Sequence, residues 1–88
     1  MRILLHKHFV KNFDKRIKQI PNLLEKFNER YRLFIKDESN ILLRSHQLTG
    51  HLKGKQAFNI TGDIRIIFQK KGNTVEFLDI GTHNQVYK

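Results

Sequence analysis

The residues of this chain with the chemistry to act together are its histidines, one aspartate, one strand arginine and one late tyrosine. There are five histidines: His6, His8, His46, His51 and His83. His46 and His51 flank a loop, Ser45-His46-Gln47-Leu48-Thr49-Gly50-His51. Asp63 and Arg65 bracket the start of an apolar run, His83 follows Gly81-Thr82, and Tyr87 comes four residues after His83. Taken singly, each has an ordinary reading. A loop histidine is usually solvated, an aspartate after glycine usually shapes a turn, a strand arginine keeps an open face soluble, and a terminal tyrosine packs. Together they are the groups needed to cut RNA with its own 2′-hydroxyl. A base must take the hydroxyl proton, an acid must protonate the leaving 5′-oxygen, and a cation must hold charge on the phosphorus oxygens. Histidine titrates near neutrality and can serve as base or acid. Arginine offers a planar fork matched to phosphate, and tyrosine can stack on a base or give a proton. No metal and no other cofactor is expected. His6 and His8 read as surface or capping residues, because no third ligand accompanies them.

These groups must be positioned by the elements around them. Ile3 and Leu5 suggest a short strand over Met1–Leu5. Phe9, Val10, Phe13, Ile17 and Ile20 recur at helical spacing and predict a helix over Lys7–Ile20, its outer face carrying Lys7, Lys11, Lys15 and Lys18. Pro21 suits the first turn of a second helix, with Leu23, Leu24, Phe27, Tyr31, Phe34 and Ile35 as its stripe. After the polar stretch Asp37-Glu38-Ser39-Asn40 the pattern changes: all five glycines lie in the second half. Three consecutive strands follow, around Phe58 and Ile60, around Ile64, Ile66 and Phe68, and around Val75 and Phe77, with turns at Gly62-Asp63 and Lys70–Asn73. The expected fold is α+β, in the order β-α-α-β-β-β, as a helical hairpin packed on an antiparallel sheet. Residues 1–88 read as one domain.

Charge narrows the partners. Seventeen Lys and Arg oppose eight Asp and Glu, for a net charge of +9 and a pI near 10.2. Residues 1–36 hold ten basic side chains against three acidic ones, and residues 37–88 seven against five. Such a bias attracts polyanions, nucleic acid first. There is no cysteine, which removes disulfides and thiolate metal sites. No apolar run approaches the roughly 20 residues that span a bilayer, and no segment joins a basic face to a strongly apolar one. A cytoplasmic protein without a membrane partner is expected.

The spacing His46-x-Leu48-x-Gly50-x3-Gly54-x5-Ile60-x2-Asp63-x-Arg65-Ile66-Ile67-Phe68, then Gly81-Thr82-His83-x3-Tyr87, resembles the YafQ-like branch of the RelE toxin superfamily. The match covers about half the chain in detail, and the strand–helix–helix order before it fits the rest. The resemblance implies that His46, Asp63 and His83 occupy catalytic positions. It places Tyr87 at a C-terminal aromatic of the active site, usually Phe, and Arg65 at a strand arginine near the scissile phosphate. It further implies an mRNA endonuclease working in the decoding site of the 30S ribosomal subunit, monomeric when free and held silent in a hetero-oligomer with a cognate antitoxin. Lys55 and His51, with Lys11, Lys15 and Lys18 on the helical face, are the expected RNA contacts. The sequence departs from the family pattern at Asn59, where a further His is common, at Ile64, where a large aromatic is common, and at Gln56, where an Arg is common. A ParE-like inhibitor of DNA gyrase and a degenerate toxin that only binds RNA and antitoxin are the alternatives. Neither needs the His46, Asp63, His83 and Tyr87 set.

Overall fold

A computed structural model describes residues 1–87. Lys88, the end of the expected C-terminal tail, lies outside the described residues. The first element is strand β1 (Arg2–Leu5), followed by helix α1 (Lys7–Arg16) and helix α2 (Pro21–Lys36). Then come the short strand β2 (His46–Gln47), strands β3 (Gln56–Asn59), β4 (Ile64–Lys71) and β5 (Thr74–Thr82), and a one-turn helix α3 (His83–Val86). Two 3-10 turns, Ile41–Leu43 and Gly50–Leu52, lie either side of β2.

The five strands form one sheet in the order β1-β5-β4-β3-β2. Strands β3 to β5 pair antiparallel, as expected, and β2 joins β3 antiparallel, but β1 joins β5 in parallel, with Ile3 opposite Val75 and Leu5 opposite Phe77. The sheet is therefore mixed. Strand β2 was not expected from sequence, because two residues are too few to show an alternation.

The first helix is shorter than its stripe suggested. Ile20 precedes a proline, and the proline ring disfavours helical geometry there; Ile20 is extended, at φ −113° and ψ 101°, and Pro21 opens α2. The chain leaves α1 at Ile17, whose N–H bonds back to the Phe13 carbonyl. Ile17 still reaches the core, but Lys18 lies beyond the helix end, so the expected basic stripe is cut after Lys15. At the other end of α1, His6 is the cap: its Nδ1 accepts from the His8 N–H at 3.1 Å.

The two helices cover one face of the sheet. Phe9 and Ile17 from the α1 region, Phe34 from α2, and Phe58, Ile66, Phe68 and Phe77 from the strands form the main core. Phe34 is stacked on Phe58, ring centroids 4.5 Å apart, and meets Phe68 and Phe77 edge-on. A register shift lies between Ile67 and Phe68: Phe68 faces Phe77 but Ile67 faces Asp79, leaving Leu78 as the extra residue of a bulge. Leu78 then joins a second, thinner cluster with Ala57, Ile67, Leu48, Val86 and Tyr87. That cluster lies on the opposite face of the sheet, beneath α3 and the loop that follows β2. Among the described residues no helix is long and apolar enough to cross a membrane.

Candidate active site

The opposite face of the sheet holds a cavity of about 360 Å³ lined by His46, Leu48, His51, Arg65, His83 and Tyr87, among others. Three segments far apart in sequence supply them. Arg65 enters from β4, where it pairs across to Asn59 on β3 and to Gly81 on β5. With Ile64, Ile66 and Phe68 packed on the helical side, strand alternation sends Arg65 to the other.

His46 is exposed on β2, anchored by register to Ala57. Its Nδ1 lies 3.0 Å from the Arg44 carbonyl oxygen. A carbonyl can only accept, so the proton of a neutral His46 ring belongs on Nδ1, and Nε2 keeps a lone pair. His51 comes from the turn entered at Gly50, whose φ of 66° suits a glycine. Two hydrogen bonds fold this loop back on β3: Leu48 N–H donates to the Lys55 carbonyl, and Lys55 N–H donates to the Leu52 carbonyl.

His83 and Tyr87 are brought together by α3. One helical turn puts positions i and i+4 on the same side, and the two rings meet edge to face at 4.6 Å. The turn is fixed by a capping box. Thr82 Oγ1 accepts from the Gln85 N–H, and Gln85 Oε1 accepts from the Thr82 N–H. The signal was present in the sequence as Thr82-x-x-Gln85, but a helix of one turn leaves no periodicity to draw attention to it.

The strand that delivers α3 is held by a residue the sequence reading passed over. Beyond the end of β1, Arg16 donates to the Ile80 carbonyl at 2.8 Å and lies 3.6 Å from Asp79, while Asn12 donates to Asp79 at 2.7 Å. Gly81 passes so close beneath that a Cβ there would lie 2.7 Å from Arg16 Nη1 and 2.5 Å from Gln85 Oε1. Any side chain at 81 would make those two side-chain ends shift.

Two polar groups of the cavity are unspent. Arg65 Nε and the Tyr87 hydroxyl are shut off from solvent and have no hydrogen-bond partner among the described residues. The Arg65 guanidinium lies 5.6 Å from the Tyr87 ring centroid, a cation–π distance that holds the fork in place without using its donors.

Not every expected residue is gathered here. Asp63 is exposed in the β3–β4 turn and does not line the cavity. There the Thr61 hydroxyl accepts from the N–H groups of Asp63 and Ile64 at 3.1 and 2.9 Å, the ordinary work of a turn. Lys55 is half-buried and does not line the cavity either; its recorded bonds are those of its backbone. Lys11, Lys15 and Lys18 are exposed on or just after α1, across the sheet from the cavity. Among the described residues no three His, Asp or Glu side chains stand close enough to share a metal ion.

This order of elements agrees with the comparisons. A family profile described as the bacterial toxin of a type II toxin–antitoxin system, YafQ, matches residues 1–88. The chain belongs to the YafQ toxin family. The crystal structure of YafQ from E. coli strain BL21(DE3) superposes with a TM-score of 0.78 at 20% identity, covering 100% of both chains. YafQ from the E. coli DinJ–YafQ complex gives 0.76 at 21% identity, again over 100% of both chains. A YoeB/ParE toxin from Agrobacterium tumefaciens gives 0.76 at 18% identity, covering 94% of this chain and 99% of that one. No match was found among curated proteins. The RelE-like fold expected from the spacing of His46 to Tyr87 is the fold observed.

Proposed function

We propose that this toxin is a ribosome-dependent mRNA endonuclease. The observation that carries the reading is the single cavity in which His46, His83, Arg65 and Tyr87 converge, with Arg65 Nε and the Tyr87 hydroxyl still lacking partners. Desolvated donors without acceptors cost about 1–3 kcal/mol each, a cost that a bound phosphate would offset.

On this reading the residues divide the chemistry as follows. His46 Nε2 takes the proton from a ribose 2′-hydroxyl, and the 2′-oxygen attacks the adjacent phosphorus. The P–O5′ bond breaks, leaving a 2′,3′-cyclic phosphate, and protonated His83 gives its proton to the departing 5′-oxygen. Arg65 faces the non-bridging oxygens, where negative charge builds up. Tyr87 packs the flanking base and, through its edge contact, holds the His83 ring. His51 lies on the rim as an RNA contact. Asp63, which the family pattern puts in the catalytic set, acts here through the turn that feeds Arg65 into β4. Lys55 supports the loop that carries His46 and His51, and the α1 lysines dock on ribosomal RNA. The cognate partner is an antitoxin, by analogy with the E. coli complex of YafQ with DinJ, and a net charge of +9 calls for an acidic one.

A primer-extension map of a defined mRNA in a reconstituted translation system tests the proposal. Cuts at decoding-site codons that need ribosomes and vanish with His83→Gln are expected. Cuts without ribosomes would keep the nuclease and remove the docking. No cuts from folded protein, together with inhibition of purified gyrase, would replace the reading with a ParE-like one.

A further inference from the structure

A second cleft, of about 520 Å³, opens beyond the first residue of β2, where the edge of β3 is left uncovered. Lys26 and Arg30 on α2, Arg44, and Asn59 to Gly62 line it. Nothing in the chemistry proposed above uses it. Its cationic side chains are unevenly spent. Lys26 lies 3.6 Å from Glu29, but neither Arg30 nor Arg44 has an ion-pair partner among the described residues. Arg30 Nε and Nη1 are shut off from solvent with no hydrogen-bond partner among those residues. Arg44 is exposed and sits in the left-handed region at φ 50°, ψ 41°, which side chains other than glycine seldom adopt. Outliers of this kind gather at ligand sites.

The cleft adjoins the first cavity at two points. Arg44 lines the second cleft and offers its carbonyl to the His46 ring of the first site. Asn59 lines the second cleft and is the cross-strand partner of Arg65, which lines the first. A strand of RNA lying over His46 and Arg65 would therefore pass its next phosphates along the β3 edge.

We propose that Arg30 and Arg44 form a phosphate subsite that grips the RNA backbone beside the bond to be cut, through the half-buried fork of Arg30 and the exposed fork of Arg44. The subsite rests on the RNA-cutting reading and extends it: it supplies affinity and register rather than chemistry. Arginine suits this role because its planar fork meets two phosphate oxygens at once.

The test is binding of a fluorescent, single-stranded 2′-O-methyl RNA, which lacks the attacking hydroxyl and so reports affinity without cleavage. Arg44→Asn keeps a residue that tolerates left-handed backbone, and Arg30→Gln removes the half-buried fork. Each is expected to bind about tenfold more weakly, because hydrogen bonds to charged groups are the strong ones. Each should also lose about 0.7 from the slope of log affinity against log salt for every phosphate contact removed. Should Arg30→Gln fail to fold, Arg44→Asn alone decides. Unchanged affinity and slope in Arg44→Asn would overturn the subsite and leave the nuclease standing. No binding by the wild type would also overturn the subsite, and the primer-extension map would then judge the nuclease separately. Poly-glutamate run in parallel distinguishes a carboxylate partner: variants that lose it while keeping RNA would overturn the subsite in favour of an acidic protein.

Discussion

The two faces of β4 are built on opposite terms. On the helical side, Ile64, Ile66 and Phe68 point into a layer where Phe34, Phe58 and Phe77 are fully buried and every ring has aromatic neighbours. On the other side, Arg65 and Ile67 lie under a thin cover of one short helix and one loop, with polar atoms that lack partners among the described residues. The first face uses its side chains on one another, and the second holds Arg65 and Tyr87 ready for something else. On the proposed reading, the packing that stabilises the fold and the groups that cut RNA lie on opposite faces of one sheet, and the two should be separable by mutation.

The largest expected effect lies on the helical face. Phe34→Ala removes the ring at the centre of three aromatic contacts and should destabilise the fold by about 3–5 kcal/mol. Chemical denaturation reads this directly. Cleavage should fall only as far as the folded fraction falls. A loss of cleavage in protein that remains folded would mean that the two faces are coupled and the comparison is wrong.

On the cavity face the expectation is reversed. His83→Gln and His46→Gln each remove one proton-transfer group and should lower the cleavage rate by roughly 10²–10⁴. Both side chains are exposed, so stability should move by no more than about 0.5 kcal/mol. Single-turnover rates measured beside thermal melts distinguish this from a structural role. A melt shifted as far as that of Phe34→Ala would make these histidines part of the scaffold.

Most of the scaffold was legible in the sequence, and the site only in part. Helix α2 and strands β3 to β5 announced themselves because each buries a stripe long enough to show a period. The end of α1 was misread because Ile17 and Ile20 continue the apolar spacing, while Pro21 acts backwards on Ile20 through backbone sterics that hydropathy does not register. Strand β1 was read as a strand, but its parallel pairing could not be, since pairing direction leaves no mark on four residues. His46, Arg65, His83 and Tyr87 were found by type and spacing, and the fold brings them together. Asp63 was grouped with them by its type and by the family resemblance, yet the step from turn to strand between it and Arg65 leaves it outside the cavity. Arg16, Arg30 and Arg44 were hidden because on a chain this basic an arginine with a special task looks like any other.

A third prediction concerns charge outside both faces. Lys11→Ala/Lys15→Ala/Lys18→Ala removes exposed cations from the α1 region, across the sheet from the cavity. Stability and the intrinsic chemistry should be unchanged, while ribosome affinity weakens and its salt dependence becomes shallower by about 0.9 per lost phosphate contact on duplex-like RNA, taking the duplex value. Sedimentation with ribosomes at several salt concentrations measures it. An unchanged slope would place the docking surface on the cavity side, leaving the helical face with stability alone.

The smallest expected effect is the most informative about how the faces are joined. Thr82 closes β5 and caps α3, so it belongs to both the scaffold and the site. Thr82→Ala removes the hydroxyl that accepts from Gln85 and should cost about 1 kcal/mol, too little to unfold the protein. Without the cap, α3 loses what fixes its single turn, and the edge contact between His83 and Tyr87 loosens. Cleavage should then drop further than stability alone allows, and Thr82→Ser, which keeps the hydroxyl, should recover both. If Thr82→Ala lost stability but kept full cleavage, the cap would belong to the scaffold only, and His83 would have to be held by the cavity itself through Tyr87 and Arg65.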